Sequence, residues 1–230
     1  ERNHCVLARL YADDFVLLAP QRETDPLVPT QLADGMTRHL AAVDEETATV
    51  LQIYVGMARN RPFPKIHPER WLYRLIQVAQ TEATDVGRQR IAAHVRLLDR
   101  AVANEQFVML YQPISWLADH SIFAHEALVR CSVKELRNPH LLFNIAEQGD
   151  RIRQLSRVLR RIAISAVPQL PSGHAMFVNV QPSDFDDPQL VEPDGLLAQF
   201  ASRLVIEVTE RAAILDFDHF RSKLAMLRKF

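Results

Sequence analysis

Three polar residues interrupt apolar segments in the second half of the chain. Glu126 follows the letters IFAH, Asn179 lies within Met176–Val180, and Glu207 lies within Leu204–Val208. An ionised carboxylate in a buried strand is costly unless it is paired, hydrogen-bonded or bound to a metal. Oxygen donors of this kind are typical ligands of hard cations such as Mg²⁺, Mn²⁺ or Ca²⁺. These residues therefore indicate a cation site if the strands bring them together.

A structural interpretation of the same residues stays open. Glu126 could pair with Arg130, four residues further along the chain, and Glu207 could pair with a nearby Lys or Arg. Buried polar residues that satisfy one another in this way need no ligand. The positions of the strands decide between the two interpretations.

The second half of the chain alternates predicted strands and helices. The predicted strands are Phe107–Ile114, Ile122–Val129, Met176–Val180 and Leu204–Val208. The predicted helices are Pro139–Gln148, Ile152–Val167, Leu196–Phe200 and Ala212–Arg228. This alternation favours a parallel sheet or an α/β barrel, in which polar residues at the carboxyl ends of strands converge.

The first part of the chain is predicted as a smaller α/β domain. Apolar runs at 5–10 and 15–19 flank a polar connection and predict a β-hairpin. A helix is predicted from Thr30 or Gln31 to Val43, a strand over Val50–Ala58 with Gly56 as a close-approach point, and a helix after Pro68. The polar segment Thr84–Gln89 marks the predicted domain boundary, and a helix containing Ile91 follows it.

Composition excludes several classes of protein. The 230 residues are 48% hydrophobic and 24% charged with a net charge of −1, which is ordinary for a globular protein and lacks the basic excess of a nucleic-acid binder. No apolar run is long enough for a membrane segment. Cys5 and Cys131 are predicted to be unpaired thiols. Because the first residue is Glu1, we expect the chain to be cut from a longer protein, with room for an inner-membrane tether outside it.

Several motifs in the second half resemble, in order, those of the EAL family of cyclic-di-GMP phosphodiesterases. They are Tyr111-Gln112-Pro113-Ile114, Glu126-Ala127-Leu128-Val129-Arg130, Phe177-Val178-Asn179-Val180 and Glu207-Val208-Thr209-Glu210. The resemblance implies a (β/α) TIM-like barrel, and it implies hydrolysis of cyclic-di-GMP to pGpG with Mg²⁺ or Mn²⁺.

The resemblance also implies roles for individual residues. The positions that hold metal in the family correspond to Glu126, Asn179 and Glu207. The positions that contact the dinucleotide correspond to Gln112, Leu128 and Arg130, with Arg130 on a phosphate, as its fork of donors allows. The family's remaining catalytic residues are expected beyond Phe230, so the isolated chain is expected to be inactive, with its fourth strand as an open edge. Cys131 replaces the family's usual Trp.

The first domain resembles the second half of a GGDEF domain with a degenerate turn. The residues at that turn are Tyr11, Ala12, Asp13, Asp14 and Phe15. The resemblance implies that both glycines are lost and that Tyr11 obstructs the nucleotide, so this domain is expected to make no cyclic-di-GMP. Asp13 and Asp14 could bind a cation, although a solvated turn explains them equally well.

Three functional hypotheses remain. The resemblance implies a partial GGDEF-type α/β sheet domain (1–84), a connecting segment (85–92) and a partial EAL-type barrel (93–230). The full-length protein is then a cytoplasmic phosphodiesterase, a homodimer with an inactive regulatory domain. The alternatives are a receptor that binds cyclic-di-GMP without cutting it and a structural module that mediates partner contacts only. Retention of the metal-ligand positions favours the enzyme.

Overall fold

The computed structural model describes residues 5–11, 13–19, 28–43, 52–59, 67–190, 192, 195–208 and 217–228. The chain divides into two units, Glu1–Arg90 and Ile91–Phe230.

The first unit contains the predicted hairpin. Strand β1 (Val6–Tyr11) pairs antiparallel with β2 (Asp14–Leu18). The register is irregular between Arg9 and Tyr11, next to the connection. Ala12, in the predicted degenerate turn, lies outside the described residues. Helix α1 (Val28–Val43) confirms the predicted helix and begins slightly earlier than the sequence indicated.

Residues 52–59 form no regular strand, so the predicted strand over Val50–Ala58 is wrong for its described part. This segment packs against helix α2 (Pro68–Ala103). At Gly56 the backbones approach so closely that an added β-carbon would lie 1.9 Å from the carbonyl oxygen of Ala79. Met57 N donates to Glu82 Oε2 over 2.7 Å. The β-branched composition therefore serves packing on a helix, and Gly56 is the close-approach point that the sequence indicated.

Helix α2 begins at Pro68, where proline is favoured in a first helical turn. It continues without a break through residues 84–89, where the sequence predicted a polar boundary. Gly87 is buried, and a β-carbon there would lie 3.2 Å from the ring of Tyr54. This glycine thus accommodates an aromatic ring and does not end the helix.

The second unit is built on a four-stranded sheet. Its strands, in spatial order, are β3 (Phe107–Ser115), β4 (Ile122–Cys131), β5 (Ala175–Val180) and β6 (Leu204–Val208). Strands β4, β5 and β6 are parallel, whereas β3 and β4 are antiparallel. The sheet is therefore mixed, and the expectation of a parallel sheet is wrong for β3. A connection as short as 116–121 can join only antiparallel strands, because parallel strands need a longer crossover.

Helices cover one face of this sheet. The described helices that follow β4 are α3 (Pro139–Gln148), α4 (Ile152–Ser165), α5 (Leu196–Gln199) and α6 (Phe217–Leu227). Asn138 caps α3 by accepting from His140 N over 2.8 Å. Residues 212–216 of the predicted last helix lie outside the described part. The buried core residues of the sheet include Ala127, Val129, Cys131, Val178 and Val180. Alternate residues of β4 and β5 therefore point into the helical layer.

Among the described residues, no helix is long and apolar enough to cross a membrane. Cys5 is exposed and Cys131 is buried, and both are free thiols, as predicted.

Candidate functional site

Glu126 on β4 and Asn179 on β5 meet above the sheet. Nδ2 of Asn179 donates a hydrogen bond of 2.8 Å to Oε1 of Glu126. The two strands are parallel with Glu126 opposite Phe177, so Asn179 lies one side-chain repeat further along the same face. Because Nδ2 of Asn179 points toward Oε1 of Glu126, the side-chain oxygen of Asn179 points away from that atom. Both residues can therefore offer an oxygen to one ligand.

Glu207 on β6 completes this group. It lies directly opposite Asn179 in the parallel pair β5–β6, so their side chains share a face. Burial raises the pKa of Glu207 above its ordinary value, and the negative charge of Glu126 raises it further. Strand β5 lies between the strands that carry the two carboxylates, and both carboxylates are on the same face of the sheet. A cation bound between two carboxylates offsets the repulsion between their negative charges.

The other residues to which the resemblance assigns ligand contacts lie on the same face. Gln112 on β3 is opposite Glu126, and Leu128 and Arg130 follow Glu126 at alternate positions of β4. We call this set the site face, and it consists of Gln112, Glu126, Leu128, Arg130, Asn179 and Glu207. Val108, opposite Arg130, is 52% exposed, and Leu110, opposite Leu128, is 48% exposed. The site face thus carries oxygen donors, a guanidinium and accessible apolar surface.

The structural interpretation requires Arg130 to pair with Glu126, but Arg130 makes a different contact. Nη1 of Arg130 donates to the carbonyl oxygen of its neighbour Val129 over 2.8 Å. Within the described part of the chain, no ion pair joins Arg130 to Glu126. The guanidinium retains donors that this one bond does not use.

The donor set of the site face fits a hard divalent cation. Two carboxylates and one amide oxygen suit Mg²⁺ or Mn²⁺, which prefer oxygen ligands. The described residues contain no group of three His, Cys, Asp or Glu side chains arranged around a metal position. The site-face group has only two such side chains, and its third donor is the amide of Asn179. A cation there would complete its coordination with water or substrate oxygens.

Replacing Glu207 with glutamine should raise the melting temperature of the metal-free protein by a few degrees. The pKa of Glu207 is raised in the folded state, so the folded protein binds this proton more tightly than the unfolded protein does. Wild-type stability should therefore fall as the pH rises through the interval between the ordinary and the raised pKa, and the variant should lack that component. Thermal denaturation from pH 4 to 8 in the presence of EDTA measures this.

A matched control for Glu207→Gln is Glu105→Gln, because Glu105 forms a surface ion pair with Arg161. That variant should not become more stable. A Glu207→Gln variant that melts below wild type at pH 7 without metal would contradict the unfavourable environment described above.

The hairpin turn of the first unit differs in character from the site face. Asp13, Asp14 and Phe15 are exposed, and Oδ2 of Asp14 accepts from Gln80 Nε2 over 2.9 Å. The guanidinium of Arg9 lies 5.8 Å from the centre of the Phe15 ring. These contacts are those of a solvated hairpin.

A buried charged cluster that was not predicted from the sequence lies directly after β5. Arg160 of α4 is 6% exposed and contacts Asp184 and Asp187, which are 1% and 0% exposed. The available signal was a single arginine within the apolar stripe of α4, together with two aspartates three residues apart. Periodicity alone does not identify the partner of such an arginine.

The sequence of the second unit matches a known protein family. The profile of the EAL domain family matches residues 95–230. A relative from Caulobacter vibrioides, described as an uncharacterized signaling protein, is 24% identical over an alignment that covers 96% of this chain and 30% of the relative. The chain therefore spans less than a third of the length of that curated relative.

Two solved structures share the fold. The Xanthomonas citri FimX EAL domain in complex with c-diGMP is 23% identical, with a TM-score of 0.54 over 63% of this chain and 60% of that chain. Vibrio cholerae LapD, described as S helix-GGDEF-EAL bound to c-di-GMP, is 12% identical, with a TM-score of 0.51 over 98% of this chain and 57% of that chain. At these identities the likeness shows the fold alone. Because the family profile matches more than half of its residues, the chain belongs to the EAL domain family.

Proposed function

We propose that the protein containing this chain is a metal-dependent phosphodiesterase that hydrolyses cyclic-di-GMP to pGpG. One observation carries the proposal: Glu126, Asn179 and Glu207 lie on neighbouring parallel strands, with a hydrogen bond between Asn179 and Glu126 and with Glu207 directly opposite Asn179. The complexes of the EAL structures with the dinucleotide support the choice of ligand. Retention of all three oxygen ligands favours hydrolysis over binding alone.

In this proposal the three ligands hold Mg²⁺ or Mn²⁺ on the site face. A bound divalent cation supplies Lewis acidity toward a phosphate oxygen and lowers the pKa of water. The chain's own contribution is to fix the direction of its oxygens. Asn179 is oriented by its bond to Glu126, and Glu207 is held at the facing position of β6. Fixed ligands of this kind lower the reorganisation needed when the ion binds.

The remaining residues of the site face are proposed to bind the dinucleotide. Arg130 presents donors that suit a phosphate oxygen, and Gln112 offers an amide next to Glu126. Leu128 and its accessible neighbours Val108 and Leu110 supply apolar surface for a base. The proposed phosphate contact at Arg130 and the proposed base contact at Leu128 thus lie at different positions of the β3–β4 pair.

We also propose that residues 1–84 are an inactive GGDEF-like regulatory domain and that the protein acts as a cytoplasmic homodimer. The hairpin of β1 and β2, which places Asp14 directly after the turn, supports the first part. The likeness of fold to a GGDEF-EAL protein across nearly the whole chain supports it as well. The homodimer and the cytoplasmic location rest on the family resemblance alone.

The test is conversion of cyclic-di-GMP to pGpG by the full-length protein, followed by chromatography with Mg²⁺, with Mn²⁺ and with EDTA. We expect turnover with either metal and none with EDTA, because the proposed site is made of oxygen ligands for a divalent ion. Isothermal titration in the presence of Ca²⁺ measures binding separately. Tight binding without pGpG under both metals would replace the enzyme with the receptor, and the absence of binding would remove both.

A further inference from the structure

A buried arginine joins helix α4 to the segment that leaves strand β5. Nη2 of Arg160 contacts Oδ2 of Asp187 over 2.6 Å, and Nη1 lies 2.9 Å from Oδ1 of Asp184. The second contact lacks hydrogen-bond geometry and is an ion pair only. Asp184 and Asp187 are almost completely buried. Charges removed from water in this way are retained only where their partners are well placed.

This cluster is connected to the site through the backbone. Asp184 lies in a short 3₁₀ helix, Pro182–Asp186, that begins directly after β5. Its Oδ2 accepts a hydrogen bond of 2.8 Å from the backbone N of Gln181. Gln181 follows Asn179 by two residues, and Asn179 is the central ligand of the site face. The direction in which the chain leaves β5 is therefore fixed by a carboxylate that Arg160 holds.

A second arginine holds the far end of the same segment. Arg157 donates to Asp187 through Nε and Nη2 over 2.9 and 2.7 Å, and Gln189 N donates to the same carboxylate over 3.1 Å. A planar fork that meets a carboxylate in this way fixes orientation as well as distance. Asp187 is thereby fixed independently, and Arg160 connects this fixed point to Asp184.

We infer that Arg160 is a positioning residue for Asn179, acting through Asp184 and the end of β5. The inference rests on the proposed function in one respect, which is that Asn179 is a cation ligand. Supporting residues that orient metal ligands typically change metal affinity about 10- to 100-fold when they are replaced. Arg160 is in helix α4 and acts through the backbone, so it makes no contact with substrate in this role.

The test compares Arg160→Gln with Arg161→Gln in the full-length protein. Both variants remove one guanidinium from adjacent positions of α4, but Arg161 pairs on the surface with Glu105 over 2.9 Å. Mn²⁺ affinity is measured from the electron paramagnetic resonance signal of the free ion. We expect binding about 10- to 100-fold weaker in Arg160→Gln, an intermediate value in Arg160→Lys, and wild-type affinity in Arg161→Gln.

Two further measurements separate positioning from loss of folding. Hydrogen exchange of the Gln181 amide should accelerate in Arg160→Gln, and the side-chain amide resonances of Asn179 should shift. If Arg160→Gln does not fold, Asp184→Asn replaces it, because an amide oxygen can still accept from Gln181 N but cannot form the ion pair. That variant should show the same changes at smaller amplitude.

The outcomes distinguish this inference from the proposed function. If wild-type protein binds Mn²⁺ and the folded Arg160 variants bind it equally well, the inference is wrong and the function stands. If wild-type protein does not bind Mn²⁺, the metal site is wrong, and the Asn179 resonances then decide whether Arg160 orients this side chain. Unchanged resonances in Arg160→Gln and Asp184→Asn would overturn the inference in either case.

Discussion

Replacing Glu126 with glutamine is expected to remove the proposed hydrolysis of cyclic-di-GMP by the full-length protein. Glutamine retains the shape of the side chain and an oxygen that can accept from Asn179 Nδ2, so the fold and the 2.8 Å contact can persist. What is lost is the negative charge that attracts a divalent cation. The Lewis-acid contribution of a metal is several kcal/mol and each ~1.36 kcal/mol is tenfold in rate, so we expect a loss of at least about 10³-fold in turnover.

The control for this experiment is Glu105→Gln, which makes the same chemical change at a surface ion pair. Its turnover should match wild type. The rate of pGpG formation is measured under saturating Mn²⁺ and at several substrate concentrations, which separates turnover from binding. Retention of more than a tenth of the wild-type turnover in Glu126→Gln would show that this carboxylate is not a metal ligand.

Replacing Asp187 with alanine is expected to cost about 3–5 kcal/mol in the free energy of unfolding, because it leaves buried charge without its partner. Asp187 is 0% exposed, and it accepts from both Arg157 and Arg160. The matched control is Asp99→Ala, which breaks a 2.7 Å pair with Arg151 in which the Asp99 side chain is 45% exposed. Exposed pairs of this kind contribute about 0–1 kcal/mol. Chemical denaturation followed by circular dichroism measures both.

The pH dependence of this effect has a defined sign. The hydrogen bond from Arg157, followed by the amide of Gln189 and the charge of Arg160, lowers the pKa of Asp187 from 3.8 to about 2. A lowered pKa stabilises the fold above the ordinary value, and this contribution is lost as the pH falls toward the lowered one. The difference between wild type and Asp187→Ala should therefore shrink between pH 4 and pH 2. A difference that stays constant over this range would contradict the assignment.

The orientation of strand β4 could be predicted only in part from the sequence, because Glu126 and Arg130 mark one face as polar whereas Leu128 on the same face is apolar. Ala127, Val129 and Cys131 face the helices, whereas Glu126 and Arg130 belong to the site face. Successive side chains of a strand point to opposite faces, so the core face can be assigned from the sequence where polar and apolar residues alternate. The meeting of residues from different strands followed only from the barrel expectation, since composition does not specify which strands are neighbours.

Two features of the fold could not be predicted because they depend on partners far along the chain. The segment 52–59 has strand-like composition, yet it packs on a helix and no described strand pairs with it. On α4 the apolar residues Val158 and Ile162 are only partly buried, whereas the polar residues Ser156 and Arg160 are buried. Arg160 is buried because Asp184 and Asp187 return to it from beyond β5. The periodicity of α4 alone does not predict that aspartates from a distant part of the chain pair with Arg160.

The mixed sheet has a consequence for the order in which the protein folds. The β3–β4 hairpin is closed by a short connection, so the pair Gln112 and Glu126 can form through contacts that are local in sequence. Strands β5 and β6 join only after long crossovers, and non-local pairing of this kind is slow. We expect mutations in the hairpin to slow folding, and mutations at the β5–β6 contact mainly to accelerate unfolding. The pairing of Asn179 with Glu207 then forms late, so the proposed cation site is complete only after β6 has joined the sheet.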